Sequence, residues 1–447
     1  MIRRRKISPV EVVDAFLRQI ESCNGELNAI VTLAPDARDR ALEAEQHLQS
    51  GGIYGPLHGV PVTIKDTIET AGLRTTAGSK VLKDNIPATD PPAVAALKAA
   101  GAIILGKSNV PEMAMTYETD NPLFGRTLNP HDQKRTPGGS SGGEAAAIAS
   151  GMSPLGLGSD LSGSIRIPAN FCGIFGLKPT PGVIANAGHI PTSEGSLSTG
   201  AIFGPMARSA RDLRLVLDCI GDPSGFDSEE ISTDPRNWNV CWFTSDLVTP
   251  VSESVVDAVQ SVVNILGESG ARTVEGLPPQ FERATELWIK LFAGPAANYV
   301  NKLYQNRIDE AGEFVRHVLK SHQERHAPTV AEQYAAKTEL EDVRSELLRF
   351  LLRFDLLVAP VGSVNAFPHN SRKLSVGNST VGVFKAFGYS QAANVFGLPS
   401  VALPVGRDSS GLPVGVQLIG SPFSDLRLLT VAEFLERELG GCVPIRS

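Results

Sequence analysis

Cysteine is scarce in this chain and poorly placed for chemistry. The five cysteines, Cys23, Cys172, Cys219, Cys241 and Cys442, are widely spaced and odd in number. None forms a CxxC or Cys/His ligand pattern, so reduced thiols are expected rather than a disulfide framework or a metal centre. Long apolar runs are also missing. No stretch of about 18 uncharged apolar residues occurs, which argues against a membrane-spanning helix. The opening MIRRRKISPVEVVDAF is basic but lacks the apolar centre of a secretory signal, so the cytoplasm is the expected location. A positive surplus is absent: 41 Lys and Arg face 48 Asp and Glu, a net charge of -7, which speaks against a nucleic-acid surface. There is no GxGxxG and no HExxH. No Ser or Thr stands three residues before any lysine, which removes the SxxK arrangement. His322 and His326 are four apart, but Lys, Gln, Glu and Arg around them mark a solvated helix face.

What remains is an ordinary globular composition, 42% hydrophobic and 20% charged, long enough at 447 residues for one large unit or two domains. The 43 glycines and 31 prolines are spread along the chain and imply many tight turns. Ser8-Pro9-Val10-Glu11 is a capping box, followed by an apolar face of Val12, Val13, Phe16, Leu17 and Ile20 that Asn24-Gly25 should end. Strands are expected over 58–68, 102–105 and 155–158, and helices over 92–100, 144–150 and 209–220. Residues 251–353 read as mainly helical. Strand character returns at 355–360, 400–405 and 414–419, before a last helix at about 425–438. The alternation predicts an α/β fold, a mixed, largely parallel central sheet covered by helices. No repeat or clean linker divides it. Residues 361–381, rich in Gly, Ser, Asn and Pro, are the best candidate for a mobile loop.

The chemistry concentrates in TPGGSSGGEAAAIASGMSPLGLGSDLSGSIRIPANFCGIFGLKPT, residues 136–180. It holds two Gly/Ser clusters, 138–143 and Ser162-Gly163-Ser164. A serine hydroxyl can be a nucleophile, and glycine lets bare N–H groups crowd around a developing oxyanion. A flexible linker fits poorly, because Ile165, Ile167, Phe171, Ile174, Phe175 and Leu177 follow at once. Gly139 to Gly143 satisfies GxSxG with Ser141 central, but that elbow requires an apolar strand before it, and residues 129–137 are polar and turn-forming. A serine can instead be activated by a neutral lysine. Lys65 follows the apolar run Gly59 to Ile64, where a charge is out of place. It could equally point to solvent, or form a buried pair with Asp66, although strand neighbours face opposite sides.

The blocks GVPVTIKD, GGSSGGE and GSDLSGSIRIPANFCGIFGLKPT, in that order, resemble those of the amidase signature family. Gly106 to Glu112 and the later GLPVGVQLIGSPF match it as well, so nearly the whole chain is covered, as one domain over 1–447 with a variable helical insert at about 251–353. The resemblance implies a serine hydrolase with a Ser–Ser–Lys triad and no metal or organic cofactor. Lys65 matches the family lysine, Ser140 the bridging serine that follows a cis peptide bond, and Ser164 the nucleophile. The backbone N–H groups of Leu161, Ser162, Gly163 and Ser164 would hold the oxyanion. Ser141 would support the relay or hold its loop. Asp160 and Arg166 would brace the Ser164 loop as an ion pair, and Cys172 would be a core thiol. Ser159-Asp160 and Ser162-Gly163 depart from the usual Thr-Asp and paired glycines.

The same resemblance implies cleavage of amides, with carbamates and esters as further candidates, and the apolar and aromatic residues of the expected pocket point to an apolar or aryl substrate group. Gly138, Gly139, Met113, Met115, Tyr117, residues 182–198 and residues 286–308, with Trp288, Phe292 and Tyr299, are the expected pocket. The expected partner is a small-molecule amide, with no nucleic acid, and the chain acts as monomer or homodimer. Two alternatives stand beside this: an amidotransferase component that generates ammonia for tRNA-dependent amidation with partner subunits and tRNA, or a non-catalytic scaffold.

Overall fold

In the computed structural model, residues 1–192, 195–222, 224, 232–324 and 329–445 are described. Eleven strands form one sheet: β1 (Ile30–Leu33), β2 (Pro61–Lys65), β3 (Ile103–Ser108), β4 (Leu155–Asp160), β5 (Phe175–Lys178), β6 (Ile202–Ala207), β7 (Asn239–Trp242), β8 (Arg272–Glu275), β9 (Leu356–Pro360), and two more named below. β10 (Lys373–Val376) and β11 (Ser379–Gly382) make a separate hairpin, while β12 (Ser400–Arg407) and β13 (Pro413–Ile419) complete the large sheet. Its order is β1-β3-β2-β4-β6-β5-β12-β13-β9-β7-β8. β2 runs parallel to β3 and β4, and β7 runs parallel to β8 and β9. The expected parallel pairing therefore lies in two outer blocks of a mixed sheet, joined by an antiparallel middle from β4 to β9.

The parallel pairing of β2 with β4 positions the site. Both strands deliver their carboxyl ends to the same edge, so Lys65 at the end of β2 meets Ser159 near the end of β4, just before Asp160. The helix Gly142–Ala149 lies close beneath, and every residue in it but Ala149 is buried. Small residues permit that approach: a Cβ on Gly143 would stand 2.4 Å from the backbone of Asn109.

Several elements differ from expectation. The helix Pro9–Leu27 carries the predicted capping box but runs through Asn24-Gly25. Asn24 serves the next turn instead, accepting from Ala29 N–H and Ile30 N–H and donating to Ile30 O, while Asn28 takes the left-handed cap. The strand expected over 58–68 shrinks to β2. β8 interrupts the helical stretch of 251–353 as an edge strand. The loop expected at 361–381 forms most of the β10–β11 hairpin, which buries Leu374, Val376 and Val381 in a cluster that also holds Phe367 and Phe387. All five cysteines are free. No described helix is long and apolar enough to cross a membrane.

Candidate active site

Lys65 is fully buried at the end of β2. Its Nζ lies 2.7 Å from Ser140 Oγ, 2.9 Å from Ser159 Oγ and 3.1 Å from the Ser159 carbonyl oxygen. Both alternative readings of this lysine fall. It does not reach solvent, and Asp66 turns away to accept from Thr76 N–H and Thr76 Oγ1–H. Burial pushes the Lys65 pKa down to about 7, against the opposing pull of Asp160 and Glu144. An amine with such a pKa is neutral in a useful fraction near neutral pH.

Ser140 follows a cis peptide bond from Gly139. Ser141 Oγ–H donates to the Ser159 carbonyl at 3.2 Å, and Ser141 N–H donates to the Ser164 carbonyl at 3.1 Å. Ser141 thus stitches the two Gly/Ser loops together. Gly138 has φ 87°, and a Cβ there would stand 2.8 Å from the Pro168 backbone. A Cβ on Gly139 would meet the Thr116 carbonyl at 2.5 Å. These glycines serve close backbone packing beside the serines.

Ser164 is 5% exposed, on the loop between β4 and the helix Arg166–Cys172. Beneath it Asp160 and Arg166 are wholly buried and paired at 3.0 Å. Arg166 also donates to Gln417 Oε1 at 2.8 Å and Asn394 Oδ1 at 2.7 Å. Burial alone would raise the Asp160 pKa, but the adjacent guanidinium outweighs it and holds the carboxyl well below the usual range. Asp160 then accepts from Ile165 N–H at 3.0 Å and Gly163 N–H at 2.7 Å. That last bond corrects an expectation: the Gly163 N–H faces Asp160 and is taken out of the expected oxyanion set. Gly163 itself is required, since its φ is 106° and a Cβ would stand 2.6 Å from Ser390 Cβ. Cys172 is buried, and burial pushes its thiol pKa up, as fits a core thiol.

The pocket candidates divide. Tyr117 Oη–H donates to the Ser162 carbonyl at 2.8 Å, and its ring stacks on Phe384. Trp288 meets Phe384 edge-on and donates its indole N–H to the Leu161 carbonyl at 2.8 Å. Phe292 lies beside Trp288. Met113 instead is buried in a separate cluster with Ala77, Ile190, Val300 and Tyr304, against which Met115 and Tyr299 pack. Of the 182–198 stretch, 193–194 lie outside the described residues, as does His326. His322 Nε2 pairs with Asn298 Oδ1.

One polar neighbour of Lys65 escaped sequence reasoning. His189 Nε2 lies 2.8 Å from Ser159 Oγ, and its Nδ1 lies 2.6 Å from the Pro191 carbonyl. The signal available was an imidazole just before Ile190-Pro191, in a stretch read only as pocket wall. Among the described residues, no group of three or more His, Cys, Asp and Glu could hold a metal ion.

Known proteins share this arrangement of chain. A glutamyl-tRNA(Gln) amidotransferase component of Thermus thermophilus is 33% identical over 467 residues, covering 96% of this chain and 94% of its own. A crystal structure of an amidase superposes with a TM-score of 0.87 at 29% identity, covering 98% of both chains. The peptide amidase of Stenotrophomonas maltophilia superposes with a TM-score of 0.83 at 26% identity, covering 100% of this chain and 96% of its own. The amidase family pattern matches residues 11–429, and with the fold and the Lys65–Ser140 pairing described above, the chain belongs to the amidase signature family.

Proposed function

We propose that the protein cleaves the C–N bond of an amide through an acyl-enzyme on Ser164. The observation that carries this is the 2.7 Å approach of a buried, easily neutralised Lys65 to Ser140. Neutral Lys65 takes the proton of Ser140, Ser140 takes that of Ser164, and the Ser164 oxygen bonds to the amide carbon. The carbonyl oxygen becomes an oxyanion, held by the N–H groups of Leu161, Ser162 and Ser164. The relay then runs in reverse: the proton held on Lys65 passes through Ser140 to the leaving nitrogen as its C–N bond breaks. Water, deprotonated by the same path, attacks the acyl carbon, and its oxygen leaves with the acid while Ser164 regains its proton. Each donor in such a hole is worth about 3–4 kcal/mol of transition-state stabilisation.

Two finer readings share this chemistry. The relatives' names favour the amidotransferase reading, in which ammonia freed here serves tRNA-dependent amidation with partner subunits. On relatedness it is the better supported. The aromatic wall of Trp288, Phe384 and Tyr117 beside the Ser164 loop favours direct hydrolysis of apolar or aryl amides, with carbamates and esters behind them. A hydrolysis panel of glutamine, aryl amides, aryl carbamates and esters, run on the isolated chain with Ser164→Ala as blank, separates them. Turnover of aryl amides without partners supports the hydrolase. Ammonia release from glutamine only when partner subunits are supplied supports the amidotransferase. A fluorophosphonate adduct on any residue but Ser164 overturns both.

A further inference from the structure

His189 reaches the lysine site through one hydroxyl, and the hydrogen bonds fix its direction. The Pro191 carbonyl can only accept, so His189 Nδ1 must carry the ring hydrogen at that 2.6 Å contact. In the neutral ring, Nε2 is then a lone pair. Only an O–H can fill the 2.8 Å gap to it, so Ser159 donates its hydroxyl hydrogen to His189. Ser159 Oγ therefore turns lone pairs alone towards Lys65, 2.9 Å away. A neutral amine has two hydrogens. One goes to Ser159 Oγ and the other to the Ser159 carbonyl at 3.1 Å, which leaves the nitrogen lone pair facing Ser140 at 2.7 Å.

We propose that His189 is a positioning residue: by claiming the hydroxyl hydrogen of Ser159, it keeps the Lys65 lone pair free to accept from Ser140. Without an acceptor at Nε2, the Ser159 hydroxyl would rotate and donate to neutral Lys65, occupying the orbital the relay needs. The surroundings suit the role. The backbone of His189 bridges to Ile68, just beyond the strand that carries Lys65, and Ile190 N–H donates to Thr67 O. The ring packs against Phe203 of β6. Burial, and the charge Lys65 carries when protonated, both lower the His189 pKa, which keeps the ring a neutral acceptor. Asp160 and Glu144 act on this cluster through Lys65, favouring its ammonium.

The inference rests on Lys65 being the base, and its test is built to fail separately. His189→Leu should lower kcat roughly tenfold to a hundredfold, a share of what a general base supplies, with KM unchanged. Ser159→Ala removes the competing hydroxyl, while Lys65 keeps the Ser159 carbonyl. The double variant His189→Leu/Ser159→Ala should then turn over faster than His189→Leu alone and match Ser159→Ala. A role in packing alone predicts the opposite, a double variant as slow as or slower than His189→Leu, and that result overturns the proposal. Should His189→Leu not fold, the 15N ring shifts of selectively labelled wild-type histidine decide. The neutral Nδ1–H form is expected at the pH of assay, and an Nε2–H ring or an imidazolium overturns the assignment. Wild-type turnover in Lys65→Ala would defeat the triad reading itself, whatever His189 does.

Discussion

The indole N–H of Trp288 donates to the Leu161 carbonyl at 2.8 Å, so the helical stretch after residue 251 grips the loop that ends in Ser164. A trans peptide is planar, and a pinned carbonyl aims the following N–H the opposite way. Trp288 thereby orients the N–H of Ser162. Tyr117 does the same one peptide further on: it holds the Ser162 carbonyl, and the Gly163 N–H points to Asp160. A π-helical turn, Ile289–Ala293, follows Trp288 directly, a rare element that often marks functional positions.

Trp288→Phe keeps most of the ring against Phe384 and removes only the donor. A single hydrogen bond is worth about 1 kcal/mol, so kcat/KM should fall roughly fivefold to tenfold. Steady-state kinetics beside a thermal melt check this. A rate loss accompanied by an equal loss of stability would show that Trp288 acts through packing and not through Ser162.

The pH dependence follows from Lys65. Below about 7 it is an ammonium and has no lone pair for Ser140; above that value it is a base. The value of kcat/KM for an amide should therefore rise with pH and level off above about 7. Lys65→Ala should lose this limb along with most amide turnover, while activated esters, whose leaving groups need no proton, are partly spared. Initial rates across a buffer series measure both.

The same pKa shift predicts a stability effect of definite sign. Unfolded, the lysine titrates near 10.5; folded, near 7. Between those values the unfolded chain binds a proton that the fold does not, so this group makes stability rise with pH there. Its penalty is full below about 7 and gone above about 10.5. Relative to wild type, Lys65→Met should thus gain unfolding free energy as pH is lowered from about 10.5 to about 7, and show no further change below. Denaturant titrations of both proteins at several pH values test it. A difference that is flat with pH would mean Lys65 stays charged in the fold.

Much of this was legible because the carriers are local. The capping box at Ser8 and the buried runs before Lys65 and around Ile165 announce their elements within a few residues. The short strands β7 and β8 were not, since four residues such as Arg272–Glu275 show too little alternation to be told from loop. The triad residues were placed by resemblance, their spacing alone leaving Lys65 ambiguous. His189 and Trp288 were read only as pocket wall, and their polar roles were missed because their partners, Ser159 and Leu161, lie 30 and 127 positions away. Only tertiary structure joins them. Met113 was drawn into the pocket by proximity in sequence, yet its positive φ turns it into the cluster around Tyr304.

Asp160 gathers the remaining order of the site, and its replacement should cost both stability and rate. Its carboxylate neutralises Arg166 deep in the fold and holds Gly163 N–H and Ile165 N–H on either side of Ser164. Removing one member of a buried pair strands the other charge, at about 3–5 kcal/mol. Asp160→Ala should show that loss in the denaturant midpoint. Replacing both partners, as Asp160→Leu/Arg166→Met, removes the stranded charge and should recover a large part of it, because an apolar pair of similar volume is often neutral to stability. Activity should not return with it: Gly163 N–H and Ile165 N–H still lack their acceptor, and the loop carrying Ser164 is no longer fixed. A double variant that regains both stability and turnover would show that the ion pair neutralises charge without ordering the loop.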